Sequence, residues 1–474
     1  MSLRKYSNKF HIFSILVFIF FLVLYVYLDL NSFANIQISR LTYLVLCVVM
    51  SFLYLLFYRR NSLFCYETFF FPLYILCVFF SDIVLENLVG NELVSSVYFT
   101  TFSKEIENKG LIVQMLAFFG FMAAASYNNY QNAHLKKTIE LRSNSTFLKS
   151  VDFNMASNIM GMVIAIYLLY LYYSGIVSSW FHYSGNVSNY SNQEIVYLTT
   201  FCLSQTAFEF IRLNKIGCSN FRSFVKKVKF IYLIDIALVS GLLLISGNRN
   251  ECLLILLPAI VAYSSLIRTM SNLQFLVGIV IGVVVMIFIG VMRQLGYNSS
   301  NDADFGLFEA TRDFGFVDPN TRYLIEYVDI HGPSYFNNAF LNLVSSIPLL
   351  GGAVAYIFGL SYITRSTQIT TDGMQLASNM DSGLGTSLVG DLYYTCGIIF
   401  VLLFMIGYGW FVSSLHNRFT IKKDYNIWLL VLYCFNFSNA AYFIRAEWTM
   451  PFRYVGFTFF LVILTSIICP KRNF

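Results

Sequence analysis

Apolar residues run along this chain in long uninterrupted blocks, with polar residues confined to the gaps between them. Twelve blocks stand out, at 10–30, 41–58, 64–80, 111–127, 159–173, 195–211, 230–245, 252–267, 273–292, 392–412, 427–443 and 452–468. A helix needs about 20 mostly apolar residues to cross a bilayer, and every backbone group within the hydrocarbon must find its partner inside the protein. A closed barrel would alternate polar and apolar positions. These blocks do not alternate, so the pattern predicts an all-α polytopic membrane protein with about 12 transmembrane helices. The first block follows Arg4, Lys5 and Lys9 but is too long for a secretory leader and lacks a small-residue cleavage site, so it reads as a span.

Composition agrees: 57% of residues are hydrophobic and only 12% charged, and mean hydropathy is +0.64, against roughly 25% charged in soluble domains. The nine cysteines lie in or beside apolar blocks, which argues against a disulfide framework. Charge orients the map, because Lys and Arg are retained on the cytoplasmic side. Most of the 31 cations then fall on one face, and both termini lie there too. The other face keeps Arg40, Lys104, Lys109, Arg249, Arg293, Arg312, Arg322, Arg365, Arg445 and Arg453. The net charge of +6 is thus an orientation signal and calls for no nucleic acid. A thirteenth apolar stretch, 340–360, carries Pro348 and the pair Gly351, Gly352. If it crossed, it would invert the charge map downstream, so it reads as a broken, re-entrant or interfacial helix pair.

Three regions follow: transmembrane helices 1–9 over 1–292, a large, partly helical outer-face loop over 293–385, and transmembrane helices 10–12 over 386–474. From Arg249 onward every outward cation is arginine, whereas the inner loops mix in lysine freely. A guanidinium grips a phosphate or carboxylate through two parallel hydrogen bonds, which an ammonium cannot do. Arg249, Arg293, Arg445 and Arg453 lie at helix ends near one outer plane, which makes them candidate pyrophosphate ligands, although any one could be a snorkelling interfacial residue. Asn436, Ser438 and Asn439 approach that plane from within the membrane, facing protein or water. Gly383, Gly385, Ser387, Gly390, Asp391 and Tyr394, followed by Gly397, enter the tenth helix from outside. Glycines there allow close approach to a ligand or a neighbouring helix, and Asp391 near a helix start could accept a proton.

This constellation resembles the Wzy-type O-antigen and capsule polymerases. The resemblance spans the topology of most of the chain and rests on the Gly247-Asn248-Arg249 turn, Arg293, the Gly383 to Gly397 stretch and Ile444-Arg445. It implies a glycosyl transfer at the outer face of the bacterial cytoplasmic membrane, in lipopolysaccharide or capsule assembly. A glycan on undecaprenyl diphosphate would move onto a fresh lipid-linked repeat unit. No nucleotide, metal or other cofactor is expected; membrane lipids surround the site, and a chain-length regulator is a further expected partner. Arginines would stabilise the departing diphosphate and an acid or histidine would take the acceptor proton. The candidates for that base are Asp391, Glu447, Glu251 and His331.

Other readings compete. Asp302 and Asp304 form a D-x-D that could hold a metal beside a diphosphate, or simply a solvated loop. Asp29 ends the first helix on the outer side, where GT-C-fold enzymes carry a catalytic acid. Glu209 and Asp235 could be transport residues, but pairing with the adjoining basic loop is simpler. An O-antigen ligase would use the same donor. A flippase or exporter of lipid-linked oligosaccharide would need charges lining a central cavity, and this chain keeps its arginines at the outer rim.

Overall fold

The computed structural model describes residues 2–35, 39–59, 63–80, 83, 102–135, 151–177, 193–245, 249–295, 315–345, 351–359, 364–378, 385–421, 426–440 and 442–471. The described residues are helical apart from turns and one isolated bridge, Val151 to Pro470, that ties the start of the fifth helix to the C-terminal end of the last.

Each of the twelve apolar blocks falls on a helix. In chain order these are α1 (Ser2–Asn31), α2 (Arg40–Tyr58), α3 (Tyr66–Val78), α4 (Lys104–Leu135), α5 (Phe153–Tyr173) and α6 (Gln193–Lys215). After the short α7 (Phe221–Lys227) come α8 (Phe230–Ile245), α9 (Arg249–Leu266) and α10 (Asn272–Leu295). Four helices then lie between α10 and the last spans: α11 (Val317–His331), α12 (Asn337–Ser345), α13 (Gly351–Ile357) and α14 (Ser366–Ser378). The chain closes with α15 (Leu388–His416), α16 (Ile427–Ser438) and α17 (Met450–Ile468). Among the described residues six helices are long and apolar enough to cross a membrane, namely α1, α2, α4, α5, α15 and α17, and five more are apolar but shorter. The remaining block, on α6, is wrapped by protein and therefore tolerates Thr199, Thr200, Ser204, Gln205, Thr206 and Glu209, all buried.

Two hydrophobic clusters share the bundle. One gathers α1, α2, α3, α11 and α15 around α4, which is buried over nearly all its length. The other gathers α5, α8, α9, α10, α16 and α17 around α6. Without a hydrophobic driving force between helices in lipid, close contact depends on small residues. Gly409 of α15 shows why: a Cβ there would sit 2.2 Å from the Phe121 carbonyl oxygen of α4.

The buried carboxylates of α6 and α8 find partners inside the bundle. Glu209 accepts from Ser157 Oγ (2.8 Å), Arg212 Nε (3.0 Å) and the Lys229 backbone N–H (3.0 Å), which is the basic-loop pairing the sequence suggested. Asp235 differs, since its partner is the neutral amide of Gln205 at 2.6 Å. Residues 340–360 fall on α12 and α13, of nine and seven residues, each far short of a span at about 1.5 Å per residue.

Candidate functional site

The kink in α15 organises one end of the bundle. Cys396 and Gly397 leave helical geometry, Gly397 with φ +69° and ψ −164°, a conformation that glycine adopts without a Cβ penalty. Breaking the helix frees carbonyls that must find other donors. The Ser334 N–H takes the Tyr394 carbonyl (2.8 Å) and the Phe336 N–H takes that of Thr395 (3.2 Å), so the link between α11 and α12 docks into the break. Ser334 Oγ then holds Asn338 Oδ1 at 2.6 Å and aims the Asn338 amide at Asp391.

Asp391 is fully buried in the first turn of α15. Its Oδ1 accepts from Asn338 Nδ2 (3.2 Å) and its Oδ2 from the Trp448 backbone N–H (2.8 Å). Thr395 Oγ1 accepts from the Trp448 indole at 3.1 Å, so the segment between α16 and α17 is pinned at two points. The residue before that pin is Glu447. Half-buried, it accepts from Asn342 Nδ2 of α12 (2.7 Å) and Thr367 Oγ1 of α14 (2.9 Å). Both carboxylates are thus held by neutral donors, and each acts electrostatically on the other.

Two arginines flank Glu447 in the chain. Arg445 closes a 3-10 turn (Phe443–Arg445), and its carbonyl lies 3.8 Å from the position a Cβ on Gly385 would take. Arg453, in the first turn of α17, lies within electrostatic reach of Glu447 and Arg365, and its buried Nε has no hydrogen-bond partner among the described residues. Glu251, in the first turn of α9, belongs to the same end. The Tyr442 phenol lies within electrostatic reach of Glu251, Arg445 and Glu447. Arg249 opens α9 and Arg293 lies near the end of α10, but the description of both stops at the backbone. Gly383, the Gly247-Asn248 turn and the pair Asp302, Asp304 lie outside the described residues.

His331 is elsewhere. It ends α11, exposed, with its ring 4.5 Å from that of Tyr327, and Gly332 caps the helix at φ +82°. The glycine stretch makes contacts to protein. Gly385 has φ +71° and its carbonyl accepts from Thr370 Oγ1 (2.5 Å), Ser387 caps α15 and accepts from Thr321 Oγ1 (2.7 Å), and Tyr394 OH donates to the Thr364 carbonyl (3.2 Å). Asn436 accepts from Tyr408 OH (2.8 Å) across helices, while Asn439 caps α16 with a buried Oδ1 that has no partner among the described residues.

Sequence reasoning missed Asn338, Asn342, Thr367, Thr395 and Trp448, and it counted Arg365 only as an outward cation. The one available signal was Asn338 and Asn342 inside the apolar stretch around 340–360, because amides in an apolar segment need partners.

A polytopic helical membrane protein with two buried or half-buried carboxylates and arginines gathered at one end of its bundle is the class that this architecture defines. A family model for the O-antigen polysaccharide polymerase Wzy matches residues 10–473, nearly the whole chain, and the chain belongs to that family. Members are membrane-embedded polymerases that act on lipid-linked oligosaccharide repeat units. No curated protein and no solved structure matches the chain.

Proposed function

We propose that this protein polymerises glycan repeat units at the outer face of the cytoplasmic membrane, through a bundle crossed twelve times with both termini in the cytoplasm. The donor is a glycan on undecaprenyl diphosphate, and the acceptor is the non-reducing-end hydroxyl of a fresh lipid-linked unit. The acceptor oxygen attacks the anomeric carbon and loses its proton to a carboxylate. The carbon–oxygen bond to the diphosphate breaks, and its electron pair leaves with the lipid diphosphate. Negative charge grows on that leaving group, where fixed guanidinium groups stabilise it.

The observation that carries this reading is Glu447 beside Asp391 at one end of the bundle with Arg453 in electrostatic reach, its buried Nε lacking an acceptor among the described residues. Asp391 has both oxygens occupied and no exposure, so it positions the Trp448 segment. Glu447 is the more accessible acid and is the base in this scheme. Arg453 and Arg445 bind the diphosphate, and Arg249 at the start of α9 and Arg293 near the end of α10 join them in this scheme. The orientation is supported by the ion pairs: Arg40 with Asp318, Lys109 with Asp329 and Arg322 with Glu107 each join residues that the charge rule assigns outside.

The test is incubation of the purified protein in lipid with lipid-linked repeat units alone. A ladder of products without nucleotide sugar is expected. Folded protein that yields no ladder, or that transfers glycan only to a different acceptor, would overturn the polymerase reading in favour of a ligase or a transporter.

A further inference from the structure

An apolar cavity lies at the opposite end of the bundle from the carboxylates. Its volume is about 780 Å³, within the roughly 300–1,000 Å³ of small-ligand sites. The walls are aromatic and aliphatic side chains of α6 to α9, including Phe210, Phe224, Tyr232, Ile260 and Tyr263, and the exposed Arg268 also lines it. Leu233 and Ile260 line it while 43% and 41% exposed, so the cavity opens sideways, toward the space that lipid fills around a bundle.

One edge of the cavity is α7, seven residues held by a capping box between Asn220 and Ser223. Phe221 (61% exposed) and Val225 (54%) leave apolar surface uncovered, beside Arg222, Lys226 and Lys227. Apolar side chains next to cations on a short exposed helix fit the headgroup boundary of a bilayer. Arg222, Lys226 and Arg268 make no ion pair among the described residues. On the charge rule this is the cytoplasmic face, where basic pockets between helices take anionic headgroups.

We propose that this cavity binds an anionic glycerophospholipid of the cytoplasmic leaflet, with an acyl chain against Tyr232, Ile260 and Tyr263 and the phosphate between Arg268 and the cations of α7. Charge complementarity selects the anionic class, and the apolar walls bordered by half-exposed side chains select a lipid over a soluble phosphate. The site is separate from the proposed reaction and does not depend on it.

Native mass spectrometry of the full chain, released from mixed vesicles of phosphatidylglycerol and phosphatidylcholine, tests this. The wild type is expected to retain phosphatidylglycerol preferentially. Arg268→Gln with Lys226→Gln should weaken that retention roughly fivefold for each charge removed. Ala237→Trp, at an exposed position lining the cavity, should fill it and abolish retention while melting in phosphatidylcholine stays unchanged. Equal retention of both lipids, retention that survives Ala237→Trp, or displacement of phosphatidylglycerol by an added polyprenyl phosphate would each overturn the proposal.

Discussion

Two charged clusters occupy the same end of this bundle, and they are built on opposite principles. In the first, Asp318 of α11 is buried and surrounded by direct partners. Arg322 of the same helix forms a charge-assisted bond to it, Arg40 of α2 reaches it at 3.3 Å, and Gln114 of α4 donates at 2.7 Å. In the second, Asp391 and Glu447 are held by amides, a hydroxyl and a backbone N–H, with arginine near but not bonded to either carboxylate. A buried charge pair closed on itself locks helices together. In the proposed reaction a charged substrate takes the guanidinium atom left open, the Arg453 Nε, which has no partner among the described residues. On the proposed function, satisfaction of charge, more than its presence, separates scaffold from chemistry.

The largest effects should divide the clusters cleanly. Glu447→Gln keeps the size of the side chain and removes the proton acceptor, so ladder formation should fall by roughly 100- to 10,000-fold with little change in melting. Full activity in that variant would move the base elsewhere. Asp318→Asn should do the reverse, because it leaves two guanidinium groups facing a neutral amide. A loss of about 3–5 kcal/mol of stability is expected, read as a lower melting temperature in detergent. The same cluster sets a pH dependence. Burial pushes the Asp318 carboxyl up, but Arg322, Arg40 and the Gln114 hydrogen bond outweigh it and hold the group below its ordinary value. With the folded value depressed, its stabilisation is complete above the unfolded value of about 3.9 and is lost as pH falls below that. The wild type should therefore melt earlier as pH drops from 5 toward 3, and Asp318→Asn should show a shallower acid slope.

A smaller effect is expected at Arg453. Lysine preserves the charge but not the fork, and only a bidentate donor can close on a diphosphate through two parallel bonds. Arg453→Lys should lower the rate of ladder formation roughly 10- to 100-fold, the scale of one charged hydrogen bond. Wild-type rates would remove Arg453 from the site.

How much of this was legible in the sequence follows from the range of each signal. The helices were legible because apolar composition is a local signal: each apolar block falls on a helix, and six of the described helices are long and apolar enough to cross a membrane. The breaking signals at 340–360 are local too: the helices described there, α12 and α13, are each too short to span, and Pro348 lies outside the described residues. The acids Asp391 and Glu447 and the arginines Arg445 and Arg453 were readable as candidates by residue type and position near a helix end. Which acid is enclosed and which accessible was not, since it depends on Asn338 and Asn342 arriving from 53 and 105 residues away in the chain. Nor could the sequence divide the outward arginines. Arg40 and Arg322 look like Arg453 until α11 brings Asp318 between them.

The most delicate test lies where the two clusters touch. Gly390 sits one residue before Asp391, and a Cβ there would meet Leu324 Cδ1 at 2.8 Å and the Thr321 Cα at 3.1 Å, both on α11, the helix that carries Asp318 and Arg322. The Leu324 methyl can turn aside, but the Thr321 backbone cannot, and Thr321 is also bonded to the Ser387 cap through its hydroxyl. Gly390→Ala should therefore push α11 and α15 apart by a few tenths of an ångström and cost about 1–3 kcal/mol, as overpacking does. If the clusters were independent, only melting would change. Because Asp391 rides on the displaced turn and Asp391 pins Trp448, the shift should also reach Glu447, so ladder formation should fall along with stability. A variant that melts early yet polymerises at the normal rate below its melting point would mean that the scaffold and the reactive end are mechanically uncoupled.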